Sequence, residues 1–235
     1  MIEFESVTKS YLGMRPVLDS ADLFVGKGDF YYVTGVSGAG KTTIFRLLMR
    51  LERPDTGAIR LDGKDVIAMN PNQTAAHRRR IGMVFQNYRL LPPLTVEDNV
   101  ALPLRVAGWA GGRVRKRVRD CLEWVGLGER RQQIVKSLSG GEQQLAAIAR
   151  AMVFDPPLVL ADEPTGNLDQ NMAFQVMSLL QRLNEQGTTV LVATHDLNLI
   201  RSFRARTLLI KDRMIHEVRL VDQPGPPAQE IQDAG

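Results

Sequence analysis

Cysteine is almost absent: Cys121 stands alone among 235 residues. One thiol excludes an intrachain disulfide framework and a cysteine-rich zinc site, and makes a reducing compartment the default. Long apolar runs are missing too. No stretch approaches the ~20 residues that a membrane-spanning helix needs, and Glu3 and Glu5 interrupt the N-terminus too early for a signal peptide. Any membrane association must therefore come through a partner or a surface contact. Charge of either sign is nearly balanced, 30 Lys and Arg against 26 Asp and Glu. The resulting net +4 suits phosphate ligands, nucleic acid or an anionic membrane surface and does not choose among them. At 44% hydrophobic and 24% charged, the composition is that of an ordinary globular protein, long enough for one sizeable core or a core with an inserted subdomain. No internal repeat is visible.

What is present reads as alternating strands and helices. Residues 1–7 alternate apolar and polar side chains (Ile2, Phe4, Val7), as a strand does, and residues 18–25 can pair with them across the turn region around Gly13. Residues 30–34 form a short β-rich run that ends at a glycine-bearing loop. After the loop, Ile44, Leu47, Leu48 and Leu51 recur at the spacing of one helix face. Strand and loop then follow through residues 59–61 and 81–85. From about residue 87 to 154 the texture becomes helical, with one stripe at Val114, Val118, Cys121, Leu122 and Val125 and another at Leu145, Ile148, Ala149 and Met152. Residues 158–161 and 189–194 are short and nearly all apolar, as expected of parallel strands covered on both faces. Ala173, Val176, Met177 and Leu180 supply the crossover helix between them. A terminal hairpin is expected over residues 207–210 and 214–218, and residues 223–235, rich in Pro, Gly and polar side chains, read as a disordered tail.

Three motifs carry chemistry. Gly35-Val36-Ser37-Gly38-Ala39-Gly40-Lys41-Thr42 fits G-x-x-x-x-G-K-[ST] between a predicted strand and a predicted helix. Glycines let such a loop wrap a phosphate with its N–H groups pointing inward, and the helix N-terminus favours negative charge. Lys41 would reach the β- and γ-phosphates and the Thr42 hydroxyl would ligand Mg²⁺. A chance match in a chain of this length is on the order of one in a hundred. Second, the apolar residues 158–161 end in Asp162 and Glu163. On its own an acidic pair after a strand is more often a cap or a solvated turn. With a phosphate loop upstream, Asp162 is placed to hold Mg²⁺, directly or through water, and Glu163 to polarise an attacking water. Third, Leu138-Ser139-Gly140-Gly141-Glu142 reads locally as a helix start, with Ser139 as N-cap and Glu142 in the first turn.

The order of these motifs resembles the ABC-type ATPases, whose signature is LSGG[QE]. The resemblance covers about residues 1–220. It implies an α/β P-loop NTPase fold with a RecA-like core, an N-terminal antiparallel β subdomain and an inserted α-helical subdomain. On this reading the ATPase domain spans 1–222, with the core at about 1–86 and 158–222 and the helical subdomain at about 87–157. It further implies ATP and Mg²⁺ as ligands. Residues Gly35, Ser37, Gly38, Ala39, Gly40, Lys41, Thr42 and Thr43 would hold the phosphates, and Tyr11 would stack on adenine. Gln86 resembles the glutamine that touches Mg²⁺ and the attacking water. His195 resembles the switch histidine at the γ-phosphate, and Asp169 belongs to a loop that crosses a dimer interface. Ser139, Gly140, Gly141 and Glu142 of one copy would cover the nucleotide held by the other, giving a homodimer with ATP at its seam.

Within that family the resemblance points to bacterial cell-division ATP-binding subunits, carried by residues 1–4, 11–13, 34–41 and 193–200. Lipoprotein-release and macrolide-export ATPases are the alternative, since residues 164–169 are shared with them. It implies an integral membrane partner of the FtsX kind docked near residues 86–94, where Tyr88, Leu90, Leu91 and Leu94 offer a groove. The cytoplasmic face of the bacterial inner membrane, contact with other division proteins, control of cell-wall hydrolases and no nucleic acid belong to the same expectation. A nucleic-acid-associated relative would need a long coiled-coil insertion or tandem halves, and a P-loop kinase would have no use for Ser139 to Glu142 or His195. The basic residues Arg113, Arg115, Lys116, Arg117 and Arg119 read as a solvated helix face. Three residues depart from the family pattern. Leu145 replaces the usual Arg but falls on an apolar stripe, Arg213 takes a turn position where relatives favour Gly, and Thr42 replaces Ser while keeping its hydroxyl.

Overall fold

The computed structural model describes residues 1–13 and 15–218; the tail expected over 223–235 lies outside them. Two sheets share the chain. The first is antiparallel, in the order β2-β1-β4-β5, built from β1 (Ile2–Lys9), β2 (Leu18–Val25), β4 (Thr56–Leu61) and β5 (Lys64–Asp65). The second has the order β10-β9-β3-β8-β7-β6, with β3 (Phe30–Thr34), β6 (Ile81–Phe85), β7 (Leu158–Asp162), β8 (Thr189–Ala193), β9 (Arg206–Lys211) and β10 (Met214–Val218). All of its pairings are parallel except the edge hairpin of β9 and β10.

The two-residue period of the strands sorts their side chains between two cores. Tyr31, Val33, Leu158, Leu160, Leu191 and Ala193 pack towards α1 (Lys41–Leu48) and the antiparallel sheet. Tyr32, Val159, Ala161, Val190 and Val192 face the opposite cluster, which holds the buried stripes of α3 (Val96–Val106), α4 (Gly111–Trp124), α5 (Gly140–Ala151) and α6 (Gln170–Glu185). A sheet covered on both faces explains why these strands are nearly continuous apolar runs. Leu145 is buried in this second core, so the substitution of Arg at that position is absorbed by packing.

The helix α1 stops at Leu48, and Leu51 lies beyond it at 47% exposure, so the expected fourth member of the stripe takes no part in the core. Residues 71–79, expected to be strand or loop, form α2 (Pro71–Arg79). Its buried residues are Thr74 and His77, so no apolar stripe announces it. Its start is fixed by a reciprocal capping box between Asn70 and Gln73 with Pro71 at the first position. His77 sits beneath Leu48 with Nε2 at 2.6 Å from its carbonyl, and burial pushes its pKa below the ordinary histidine value. A short last helix, α7 (Leu197–Ser202), follows β8 and was not expected; Asp196 caps it.

The β9–β10 hairpin turns at Asp212 and Arg213, with φ of 51° and 69°. Two left-handed residues are what a two-residue hairpin requires, and glycine is favoured there because a Cβ is strained in that region. Arg213→Gly is expected to stabilise the fold by about 1 kcal/mol, a rise in melting temperature of about 2–4 °C. The loss of the exposed 3.9 Å contact between Arg213 and Asp19 subtracts little. Thermal unfolding of the two proteins decides it; an unchanged or lowered midpoint would show that the arginine turn carries no strain.

Candidate nucleotide-binding site

Register across the parallel strands brings four chain ends to one edge of the large sheet. Val33 pairs with Ala193, Ala193 with Asp162, and Asp162 with Phe85. The residues that follow these strands are therefore neighbours: the loop from Gly35, then His195, Glu163 and Gln86. Ligands in open α/β sheets bind at the carboxyl ends of the strands for this geometric reason. A cavity of about 730 Å³ opens there, lined by Tyr11, Val17, residues 35–43, Gln86, Asp162, Glu163 and His195.

The loop's glycines are required by its path. Gly40, the N-cap of α1, has φ 111°, and a Cβ on it would stand 2.8 Å from Val17 Cγ1. Gly35 has φ 153°, and a Cβ there would lie 2.8 Å from the carbonyl oxygen of Ile210. Lys41 folds back over the loop, its Nζ donating to the carbonyls of Gly35 at 2.9 Å and Val36 at 3.3 Å. Thr42 Oγ1 donates to Asp162 Oδ2 at 2.9 Å, so the hydroxyl and the carboxylate meet at one point. Burial pushes the Asp162 pKa above the ordinary carboxylate range and Glu163 pushes the same way, while the Thr42 hydrogen bond, Lys41 and Arg89 pull it down. A carboxylate so placed gains from a cation beside it.

Glu163 lies just past β7 in a left-handed backbone conformation, φ 47°. Its side chain is 15% exposed, and Oε1 is 2.9 Å from Nδ1 of His195, whose side chain is 73% exposed. Tyr11 reaches the cavity through its hydroxyl, 3.3 Å from Thr43 Oγ1, with Lys9 over its ring at 5.4 Å.

The remaining expected site residues are not in this cavity. Ser139 caps α5 in a reciprocal capping box, its backbone N–H and its hydroxyl each 2.9 Å from Glu142 Oε2. The backbone hydrogen bond from Ser139 holds the Glu142 carboxyl below its usual range, helped by the hydroxyl and by Arg130. Gly140 lies beneath the Tyr88 hydroxyl and Gly141 against Met172 of α6. Asp169 caps α6 by accepting from Met172 N at 3.0 Å. Within one chain, then, these residues form a second surface apart from the phosphate loop.

Three residues of the site's surroundings escaped the sequence reading. Val17 lines the cavity. Arg150, on α5, donates to the carbonyls of Tyr88 at 2.7 Å and Arg89 at 2.6 Å, and so clamps the two left-handed residues that follow Gln86. Gln144, also on α5, donates to the carbonyl of Pro164 at 2.6 Å. All three were hidden for one reason: each acts through long-range contact with backbone or loop, which leaves no spacing signal. Of the basic stretch on α4, Arg117 is taken up by the carbonyls of Met152 and Val153, and Arg113 stacks on Trp109; Arg115, Lys116 and Arg119 are exposed.

A parallel sheet that delivers a glycine-rich loop, a buried aspartate and a neighbouring glutamate to one edge defines a P-loop nucleoside triphosphatase. Residues 18–166 match the family described as ABC transporter. Along its length the chain is similar to "Cell division ATP-binding protein FtsE" of Escherichia coli strain K12, 44% identical over 216 residues, covering 92% of this chain and 97% of that protein. It is also 41% identical over 215 residues to the protein of the same name from Bacillus subtilis strain 168, with 92% and 94% covered. Among solved structures, a dimeric ATP-binding cassette in a post-hydrolysis state bound to ADP and Pi superposes with a TM-score of 0.84 at 36% identity, over 95% of this chain and all of that one. The chain belongs to the ABC transporter family of ATP-binding subunits, and it is an ATPase. Among the described residues no helix is long and apolar enough to cross a membrane.

Proposed function

We propose that two copies of this chain close around two ATP molecules and pass that closure to a membrane protein of the FtsX kind, controlling cell-wall hydrolysis during division. The observation that carries the dimer is the separation of the two halves of the site. The phosphate loop, Asp162, Glu163 and His195 line one cavity, while the capped start of α5 lies outside it. A second copy turned to face the first would set Ser139 and Gly141 over the other's nucleotide. The dimeric ADP- and Pi-bound cassette supports this arrangement, and the names of the similar proteins support the role in cell division.

In this reading the N–H groups of residues 35–43 and the Lys41 ammonium bind the β- and γ-phosphates. Thr42, Asp162 and Gln86 would hold Mg²⁺, which when bound neutralises phosphate charge. The donors fit that ion: a hydroxyl and a desolvated carboxylate converge at 2.9 Å. No group of three His, Cys, Asp or Glu side chains forms a closed cage among the described residues, and Mg²⁺ ordinarily takes few protein ligands and several phosphate oxygens. Glu163 accepts a proton from the attacking water, and His195, 2.9 Å from it, contacts the γ-phosphate. Little covalent chemistry is asked of the protein, and the useful output is closing and reopening.

The membrane partner docks beside Gln86, over Leu90, Leu91 and Leu94. Leu91 is 43% exposed and Leu90 rests on the helical core. The chain is thereby held at the cytoplasmic face of the inner membrane. Depleting the protein is expected to give undivided filaments, most visibly in low-osmolarity medium, and solubilised membranes should yield a complex with the FtsX-type polypeptide. Normal division with a lipoprotein-sorting defect would instead assign the chain to a lipoprotein-release transporter.

A further inference from the structure

Gln144 is fully buried on α5, a helix whose other buried side chains are Leu145, Ile148 and alanines. One end of its amide is engaged: Nε2 donates to the Pro164 carbonyl at 2.6 Å. The other end is idle, since Oε1 has no hydrogen-bond partner among the described residues. For stability alone a half-satisfied buried amide is a poorer choice than an apolar side chain of the same size. Its retained contact is with the residue next to Glu163.

That neighbour needs holding. Glu163 adopts φ 47°, a region that non-glycine residues enter only when their surroundings impose it. Its backbone is fixed on the sheet side by its N–H to the Ala193 carbonyl at 2.9 Å, and its carbonyl accepts from Gly166 at 3.2 Å. Beyond it, Pro164 has no N–H to donate, so the residue itself can be anchored by a hydrogen bond only through its carbonyl, which belongs to the following peptide plane. Gln144 supplies that anchor from a different element. Three residues before it on the same helix face is Gly141, and Ser139 caps the start of the helix.

We propose that Gln144 is a positioning residue for ATP hydrolysis, tying the backbone at Pro164, the residue next to Glu163, to the signature helix so that movement of Ser139 to Glu142 is transmitted to the base of the same chain. The inference rests on the reading of Glu163 as base and of α5 as the element that meets the partner's nucleotide. A helix is stiff along its axis, so a displacement at Ser139 reaches Gln144 within two turns and is passed to the Pro164 carbonyl through one short hydrogen bond. Hydrolysis in one site is thereby conditioned on nucleotide held at the other.

Two variants of like size test it. Gln144→Met removes the donor and also the idle acceptor. Gln144→Glu keeps the shape but sets a carboxylate oxygen against the Pro164 carbonyl. Both are expected to lower kcat by about tenfold to 100-fold, the scale of a small misplacement of a reacting group. KM for ATP should stay within about twofold, because nothing that binds ATP has been touched. In Gln144→Glu the ratio of kcat to wild type should recover as pH falls from about 8 to about 6, since burial raises the carboxyl pKa and its protonated form regains an O–H donor. In a purely space-filling role any such recovery runs in step with the melting temperature, because the buried carboxylate unsettles the fold until it is protonated. Wild-type kcat in Gln144→Met, measured beside an inactive Glu163→Gln, overturns the positioning role. So does a parallel loss of kcat, ATP binding and melting temperature. Normal turnover in Glu163→Gln overturns the base assignment itself, a separate failure.

Discussion

Glu163→Gln is expected to lower ATP turnover by about 10²–10⁴-fold, the usual contribution of a positioned general base, while leaving ATP binding in place. The substitution is isosteric. A glutamine at this position still meets His195 Nδ1, 2.9 Å from the present carboxylate, and keeps the same backbone, but it cannot take a proton from water. Neither the phosphate loop nor the Thr42–Asp162 pair is disturbed, so the phosphates should bind as before. Under the proposed mechanism the ATP-bound dimer then has no route to reopen and accumulates. Phosphate release measures the first effect. Size-exclusion chromatography with and without ATP measures the second, as a nucleotide-dependent shift from one chain to two. Normal turnover removes Glu163 from the role of base. Lost turnover with no dimer in saturating ATP leaves the base intact and removes the two-copy site.

The parts of the molecule legible in the sequence are those in which one physical demand dominates. Strands covered on both faces had to be nearly continuous apolar runs, so Phe30–Thr34 and Ile81–Phe85 stand at their expected bounds, while the partly exposed Leu18–Val25 and Met214–Val218 stood out through alternation and hairpin pairing. The stripe of Val114, Val118, Cys121, Leu122 and Val125 marked the buried face of α4, which begins three residues earlier at Gly111 and is capped by Val125. The glycine-rich loop and the acidic pair, which line one cavity, stood out because the chemistry proposed for them restricts the residue types. Where polar side chains do the structural work, periodicity fails. The helix α2 is held by a capping box and by Thr74 and His77, so a search for apolar spacing passed over it. Its Asn70-Pro71-x-Gln73 start was the available signal. Gln144 and Arg150 sit on a helix correctly read from its apolar face. Their partners are carbonyls 20 and about 60 residues away in sequence, and only folding brings these together. The proposed placement of Ser139 over another copy's nucleotide comes only through resemblance, since nothing in spacing says that Ser139 should stay away from Lys41 in its own chain.

Lys41→Ala tests the other end of the chemistry, and its expected signature is the opposite one: binding itself fails. In the present structure the ammonium bridges the carbonyls of Gly35 and Val36, the first two residues of the loop that it closes. Those are weak partners for a full charge, and a polyphosphate entering the cavity replaces them with anionic oxygens, a charge-assisted contact in a partly desolvated setting. Truncating one member of such a pair costs about 2–5 kcal/mol, which is about 30-fold to several thousand-fold in ATP affinity. Fold stability should change little, because the loop path is imposed by Gly35 and Gly40 rather than by the lysine. Titration with a fluorescent ATP analogue reads the affinity, and thermal unfolding without nucleotide serves as the control. The double variant Lys41→Ala with Glu163→Gln should remain a single chain at ATP concentrations that convert Glu163→Gln alone to two. If the alanine variant bound ATP as tightly as the parent, the charge that holds the triphosphate would have to come from elsewhere. Arg89, close enough to Asp162 to lower its pKa, would be the first residue to examine.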